Sequence, residues 1–237
     1  MVKKMSKSNN KITIIKCILL VIFIALMAFF TMKLLPLFKN LSTTSGRLDF
    51  KNKINSMGAL GPVTIVGMVI LQIFLAFLPG EPIEILSGMC YGTIGGMILV
   101  FIGVFISSFI IIYLVKLFGK NFIYIFFGDK SYEKLINSKL FRNKKKLEIL
   151  LFILFFIPGT PKDLLTYIGG ILPIKPINFL IISTLARFPS IITSTFTGEN
   201  ITSGNFNISI ISFVITFIIS AIGLVIFNIM QKRAEND

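Results

Sequence analysis

Residues 77–86 read FLPGEPIEIL, a Pro-Gly-Glu-Pro break and two glutamates set inside an apolar run. Seventy-nine positions later, residues 156–165 read FIPGTPKDLL. The two stretches share Phe, Pro, Gly, Pro and the final Leu, and Glu84 and Asp163 fall at the same place in each. Chance likeness between two apolar windows is common, but chance sharing of a PGxPx-acid core is not. Proline removes a backbone donor, clashes with the carbonyl four residues back and pushes the preceding residue out of the helical region. Two prolines flanking Gly-x therefore unwind about one turn of helix. In hydrocarbon, each backbone group so freed is costly unless it is buried in protein or faces a water-filled cavity. Each break is thus either a loop at the membrane surface or the lining of a polar cavity at depth.

Hydrocarbon is the relevant solvent. Of 237 residues, 54% are hydrophobic and 14% charged, against about a quarter charged in a soluble domain; mean hydropathy is +0.88. Several apolar runs reach the ~20 residues that a spanning helix needs. The first, 12–34, follows the basic segment 1–11, is too long for the h-region of a signal peptide and has no small-x-small cleavage site, so we read it as a retained helix. Histidine and tryptophan are absent, which removes the commonest general base and transition-metal ligand. Cys17 and Cys90 lie in apolar surroundings and fit buried hydrophobes better than a disulfide, a zinc site or a nucleophile. Enzyme chemistry, a metal site and a bound cofactor are not expected. The net charge of +14 sits in loops rather than in a soluble domain. It reads as topology signal and attraction to anionic lipid, not as a nucleic-acid site.

The order along the chain is helix 12–34, an interfacial segment 36–57, apolar runs 60–78 and 83–91 around the first break, and a span 93–115. Within that span Gly95, Gly96, Gly103, Ser107 and Ser108 recur at spacings that allow close helix contact in lipid. A loop 116–146 carries nine Lys/Arg against Asp129 and Glu133. Runs 147–157 and 164–172 flank the second break; a turn at Pro173 and Pro176, a span 177–195, a polar turn 197–207, a last helix 208–230 and a tail 231–237 complete the chain.

The positive-inside rule places both termini and the 116–146 loop in the cytoplasm. That assignment conflicts with a full crossing by 60–78. The conflict disappears if 60–91 is a re-entrant hairpin from outside with its tip at Pro79, Gly80 and Pro82, and 147–172 a hairpin from inside with its tip at Pro158, Gly159 and Pro161. Against this stand the five basic residues between 33 and 58, which the same rule would place inside. The expected fold is an all-α polytopic membrane protein with about four full transmembrane helices and two inverted re-entrant hairpins. Secondary transporters use that plan, with the site at the midplane between broken helices.

Glu81, Glu84 and Asp163 are the acids inside the expected membrane zone, with Glu148 and Glu199 near its edges. A carboxylate at the bilayer centre costs at least ~2.5 kcal/mol on insertion scales, so such groups face a cavity or a partner and mark a transport path. Lys162 and Arg187 are the available cations. Arg187, in LARFPS, is open to three readings: an arginine snorkelling to the interface, the partner of an acid, or a bidentate phosphate holder.

PGEPIEILSGMCYGTIGG (79–96), FIPGTPKDLLTYIGG (156–170) and ARFPS (186–190) resemble the VTT-domain membrane proteins of the DedA superfamily (SNARE-associated), in particular the bacterial Tvp-like branch. The resemblance covers about residues 60–200. It implies two facing re-entrant hairpins and a role in moving lipid between leaflets: phospholipid scrambling in eukaryotic relatives, and return of a polyprenyl-phosphate carrier, proton-coupled in some bacterial relatives. By position, Glu81 and Glu84 match the acids after the first break and Asp163 the acid after the second. Where the DedA branch has two arginines in the second hairpin, this chain has Phe155 and Pro161, which leaves Lys162 and Arg187 to meet a phosphate. The expectation is a multi-pass plasma-membrane protein whose partners are membrane lipids with anionic head groups. Glu81, Glu84 and Asp163 would form the proton or head-group site, with Lys162 and Arg187 as phosphate ligands or counter-ions. Two other readings remain: an ion- or proton-coupled small-solute transporter, and a non-transporting membrane organiser acting through the basic loop.

Overall fold

The computed structural model describes residues 43–76, 78–118, 144–157 and 160–203, with scattered helical positions between 25 and 32 and between 207 and 225. The tail 1–11, most of helix 12–34, residues 119–143 of the basic loop, Pro158, Gly159 and the tail 231–237 lie outside the described residues. Every described element is a helix: α1 (Thr44–Ser56), α2 (Leu60–Leu75), α3 (Glu81–Phe118), α4 (Lys144–Phe156), α5 (Lys162–Ile168), α6 (Pro176–Leu185) and α7 (Phe188–Thr202).

Helix α1 falls within the segment 36–57. Thr43 caps it, its hydroxyl oxygen accepting from the Gly46 amide at 3.1 Å, and Ile54 and Phe50 turn inward while Leu48 stays exposed. Helix α2 stops at Ala76, which adopts a left-handed conformation (φ 51°, ψ −23°) with its N–H on the carbonyls of Gln72 and Ile73. Pro79 prevents resumption, and the Gly80 carbonyl then accepts from Ile83 (3.0 Å) and Glu84 (3.1 Å) to start α3.

Helix α3 is two arms, not one rod. Gly92 has φ 72° and ψ 176°, a region that essentially only glycine occupies. The Ser87 hydroxyl donates to the Gly96 carbonyl at 3.0 Å, whereas residues nine apart in a straight helix are ~13 Å apart along its axis. The chain therefore doubles back at Gly92, and 81–91 lies against the start of 93–118. Two stretches, 81–117 and 176–202, are long and apolar enough to cross a membrane. After the reversal, 93–117 still extends ~37 Å at 1.5 Å per residue, beyond the ~30 Å hydrocarbon core. The helices flanking the breaks are shorter: α2 is ~24 Å, the arm 81–91 ~16 Å, α4 ~20 Å and α5 ~10 Å, each short of that thickness.

Contacts fix the directions. Gln72 meets Asp163 and Phe74 meets Tyr167, so α2 approaching its break runs alongside α5 leaving the other. A Cβ on Gly103 would lie 2.7 Å from Val69, which places 93–118 alongside α2. A Cβ on Gly170 would lie 2.5 Å from Val115, so α5 ends where 93–118 ends. Ile83 packs in one cluster with Ile191 near the start of α7 and Thr93 bonds Glu199 near its end, so 81–91 and α7 run in the same direction, with Gly88 abutting Thr195 and Gly198 abutting Ile85 where they cross. Each half is thus helix, break, short helix, turn, long helix, and the halves run in opposite directions so that the two breaks meet head to head. The core follows the same seam: Met68, Val69, Ile73, Val100, Val104, Ile111 and Tyr167 pack as one cluster, while Leu147, Leu151, Phe155 and Phe179 fill the second half.

One boundary differs from the expectation. Residues 197–202 continue α7 rather than opening a polar turn, because their polar groups are satisfied on the helix: Asn200 donates to Phe196 O (2.8 Å) and Thr202 to Gly198 O (3.2 Å). The Glu199 carboxylate accepts from the Thr93 amide at 2.7 Å and from the Thr93 hydroxyl, capping the arm that begins after Gly92.

The backbone contact of 81–91 with α7 leaves no room for a side chain at Gly88 or Gly198. Gly88→Val and Gly198→Val are each expected to destabilise by at least ~1–3 kcal/mol, the usual penalty of overpacking. Thermal denaturation in detergent checks this, with Gly67→Ala, where a Cβ meets nothing within 4 Å, holding or raising the midpoint. Gly92→Ala is expected to cost about 1–3 kcal/mol through backbone strain alone.

Candidate functional site

The two breaks enclose a cavity of about 260 Å³ between the halves. Leu78, Pro79, Gly80, Glu81 and Glu84 line it from the first half, Thr160, Pro161, Lys162 and Asp163 from the second, and Arg187 and Ser190 from the start of α7. All five charged residues singled out in the sequence therefore reach one space, with the described tip residues Pro79, Gly80 and Pro161 on its wall. Pro82 follows in the first turn of α3.

Asp163 is the best-held of the acids. Its Oδ1 accepts from Arg187 Nη1 at 2.8 Å, and its Oδ2 accepts from Gln72 Nε2 at 2.6 Å. Arg187 is 5% exposed and fully engaged: Nη2 donates to Thr166 Oγ1 (2.9 Å), Nε donates to the Ser183 carbonyl (3.1 Å), and the guanidinium lies 5.3 Å from the centre of the Phe155 ring. A group so buried does not snorkel. Of the three readings of Arg187, the geometry gives the partner of an acid. The same Gln72 amide also donates to the Leu78 carbonyl at 2.8 Å, satisfying a group released by the first break. At the second break the Thr160 hydroxyl does this work, lying 2.6 Å from the Leu154 carbonyl and 2.9 Å from that of Ile157.

Glu84 and Lys162 are placed differently. Oε2 of Glu84 is buried and carries no hydrogen bond, and Lys162 from the other half attracts its carboxyl. Lys162 is 9% exposed and, among the described residues, has no side-chain hydrogen bond and no ion pair within 4.0 Å. Buried polar groups are normally bonded, and an unbonded one carries the full cost of desolvation. These two, one from each half, are the cavity's uncommitted charges. Glu81 is exposed at the first tip. Among the described residues, no group of three His, Cys, Asp or Glu side chains converges as metal ligands do.

Sequence reasoning missed Gln72, Thr166, Ser190 and Ser194. Gln72 had a usable signal: it is the lone amide in the apolar run 60–78, and a polar side chain in hydrocarbon implies a partner. Thr166 and Ser194 had none, since hydroxyls commonly back-bond within their own helix.

The VTT domain family matches residues 78–200, which holds both breaks, every charged cavity residue and the whole of α7 to Asn200. No curated protein and no solved structure is matched by the chain. The match spans just over half of the 237 residues, and the chain belongs to the VTT-domain family of DedA-type membrane proteins.

Proposed function

We propose that the protein is a plasma-membrane lipid transporter of the bacterial Tvp-like branch. It moves a phospholipid or a polyprenyl-phosphate carrier between leaflets by passing the head group through the cavity where the two breaks meet. The observation that carries this reading is the pair Glu84 and Lys162, contributed by opposite halves to one space: Oε2 of Glu84 is buried without a hydrogen bond, and Lys162 is 9% exposed with no ion pair among the described residues. A structural site would satisfy such charges internally, as Arg187 and Asp163 do; a transport site keeps them for its cargo. The short helices beside each break support two re-entrant hairpins from opposite faces, with four full spans supplied by 12–34, 93–118, 176–202 and 208–230. In that arrangement both termini face the cytoplasm. No chemical conversion is assigned to the site; its partners are membrane lipids.

Reconstitution tests the reading directly. Vesicles of phosphatidylcholine and phosphatidylglycerol carrying the protein and a trace of acyl-chain-labelled lipid should expose more than the outer-leaflet half of the label to a membrane-impermeant quencher. Exposure no greater than in protein-free vesicles, for every lipid tried, would overturn it. Topology is read separately with Cys17 and Cys90 replaced: single cysteines at positions 80 and 159 should react with small water-borne reagents but not with bulky ones. Equal reaction with both sizes would make the breaks surface loops.

The roles of the charges separate by stability. Asp163→Asn and Arg187→Gln each leave a buried partner uncompensated, and are expected to lower stability by about 3–5 kcal/mol. Glu81→Gln, at an exposed tip, should leave the melting midpoint in detergent unchanged.

A further inference from the structure

A second cavity lies away from the breaks, where α4 and α6 both begin. It holds about 400 Å³ and is lined by Lys144 and Glu148 from α4, by Pro173, Ile174 and Lys175 from the turn, and by Asn178 from α6. The two helices are fixed to each other beneath it. Phe155 meets Phe179 edge to face at 5.8 Å, and Leu147, Leu151, Leu172 and Phe179 share one cluster. Nearer the cavity, Asn178 Nδ2 donates to Glu148 Oε1 at 2.8 Å, which gives the one acid on the wall a partner. Lys175 is extended (φ −61°, ψ 132°) at the start of α6, a backbone that the following Pro176 enforces. Lys144 and Lys175 are both exposed, and among the described residues neither has an ion pair. Lys145 and Lys146 follow on the same exposed turn. Two elements thus bring like charges to one space with a single acid between them, and that acid is already hydrogen-bonded. Lysine ammoniums are compact donors that meet phosphate as point charges.

We propose that this cavity binds the phosphate of an anionic phospholipid, held by Lys144 and Lys175 in the leaflet on the side of the 116–146 loop. The lipid stays there as a brace between α4 and α6 and is distinct from whatever passes between the breaks. Two observations favour a lipid over a soluble phosphate. Pro173 and Ile174 give the cavity an apolar wall. Ile149 and Ile177, next in sequence to the bonded pair Glu148 and Asn178, are exposed, so apolar surface for acyl chains adjoins the cavity on both helices. Basic pockets between spanning helices are a recurrent form of head-group recognition. A zwitterionic head group fits less well, because its own cation would face the lysines. The site also gives Lys144, where the basic loop ends, a task beyond orienting the chain.

The test reads thermal midpoints of the full chain in a neutral detergent as lipid is added. Phosphatidylglycerol should raise the midpoint saturably, by about 5 °C, and phosphatidylcholine of the same acyl chains should not. Glycerol phosphate, which offers the phosphate without acyl chains, should also leave it unchanged. The double variant Lys144→Gln, Lys175→Gln removes two exposed charges; it should keep the lipid-free midpoint and lose most of the phosphatidylglycerol shift. Lys51→Gln with Lys53→Gln, an equal loss of charge on α1, should keep the shift. No shift, equal shifts by both lipids, a shift that survives in the double variant, or an equal loss in the α1 variant would overturn the site. A full shift with glycerol phosphate would overturn the assignment to a lipid. Native mass spectrometry gives a second reading, with phosphatidylglycerol retained by the unmodified protein and lost from the double variant; equal retention would overturn the site as well. The comparison of lipids in the unmodified protein stands whether or not the variants fold. None of these results depends on transport between the breaks, so the two proposals fail separately.

Discussion

The carboxylate of Asp163 is held at once by Arg187 from the start of α7 and by Gln72 from α2, and the arrangement of the two halves turns on that grip. Gln72 spends its amide on two acceptors, the Leu78 carbonyl of its own break and the acid of the other. One side chain thereby closes the first break and fastens it to the second. Arg187 continues the chain of bonds to Thr166 and to the Ser183 carbonyl, so α2, α5, α6 and α7 all meet through three side chains. Removing two ions from water is expensive, and attraction repays the expense only where the remaining donors and acceptors are satisfied. Here every guanidinium nitrogen and both carboxylate oxygens have a partner.

Around this clamp each break has its freed backbone groups met by the protein itself. Interrupting a helix in hydrocarbon frees carbonyls and amides that water cannot reach. The first break settles them with a left-handed Ala76, the Gln72 amide and the Gly80 carbonyl; the second uses the Thr160 hydroxyl. Close backbone packing supplies the rest of the rigidity. Gly88 against Thr195 and Gly198 against Ile85 bring two helices within the reach that only small residues permit, which keeps the cavity wall fixed while its free charges remain unbonded.

Much of this is legible in the sequence because proline and glycine punctuate strongly. The repeat of PGxPx-acid marks both breaks, and the span expected from 93 begins where Gly92 ends the shorter arm. Helix α7 was not legible beyond 196, since Thr197, Glu199 and Asn200 look like turn residues until their partners at Ser212, Thr93 and Phe196 are known. Nor was the reversal at Gly92: a glycine in an apolar run gives no sign of its φ, and without the Ser87–Gly96 bond the segment reads as one long helix. At the site, the five charged residues were identifiable because charge in hydrocarbon is rare. Their division into bonded and free was not, because it depends on Gln72 and Thr166, neutral residues that composition does not single out.

The two halves share a plan but not a chemistry. At matching positions the first half has Glu81, Ile83 and Glu84, and the second has Thr160, Lys162 and Asp163. The second acid is taken by the clamp, so the free acids all belong to the first tip and the free cation to the second. A strictly symmetric pair of hairpins would present the same charge from both sides and could hold a simple ion midway between them. This pair presents opposite charges across a gap, and a ligand that satisfies both must itself be polarised and must lie across the seam. Such a ligand would bridge the first break to the second with its own bonds, and the asymmetry of the repeat would then couple its binding to the relation between the halves.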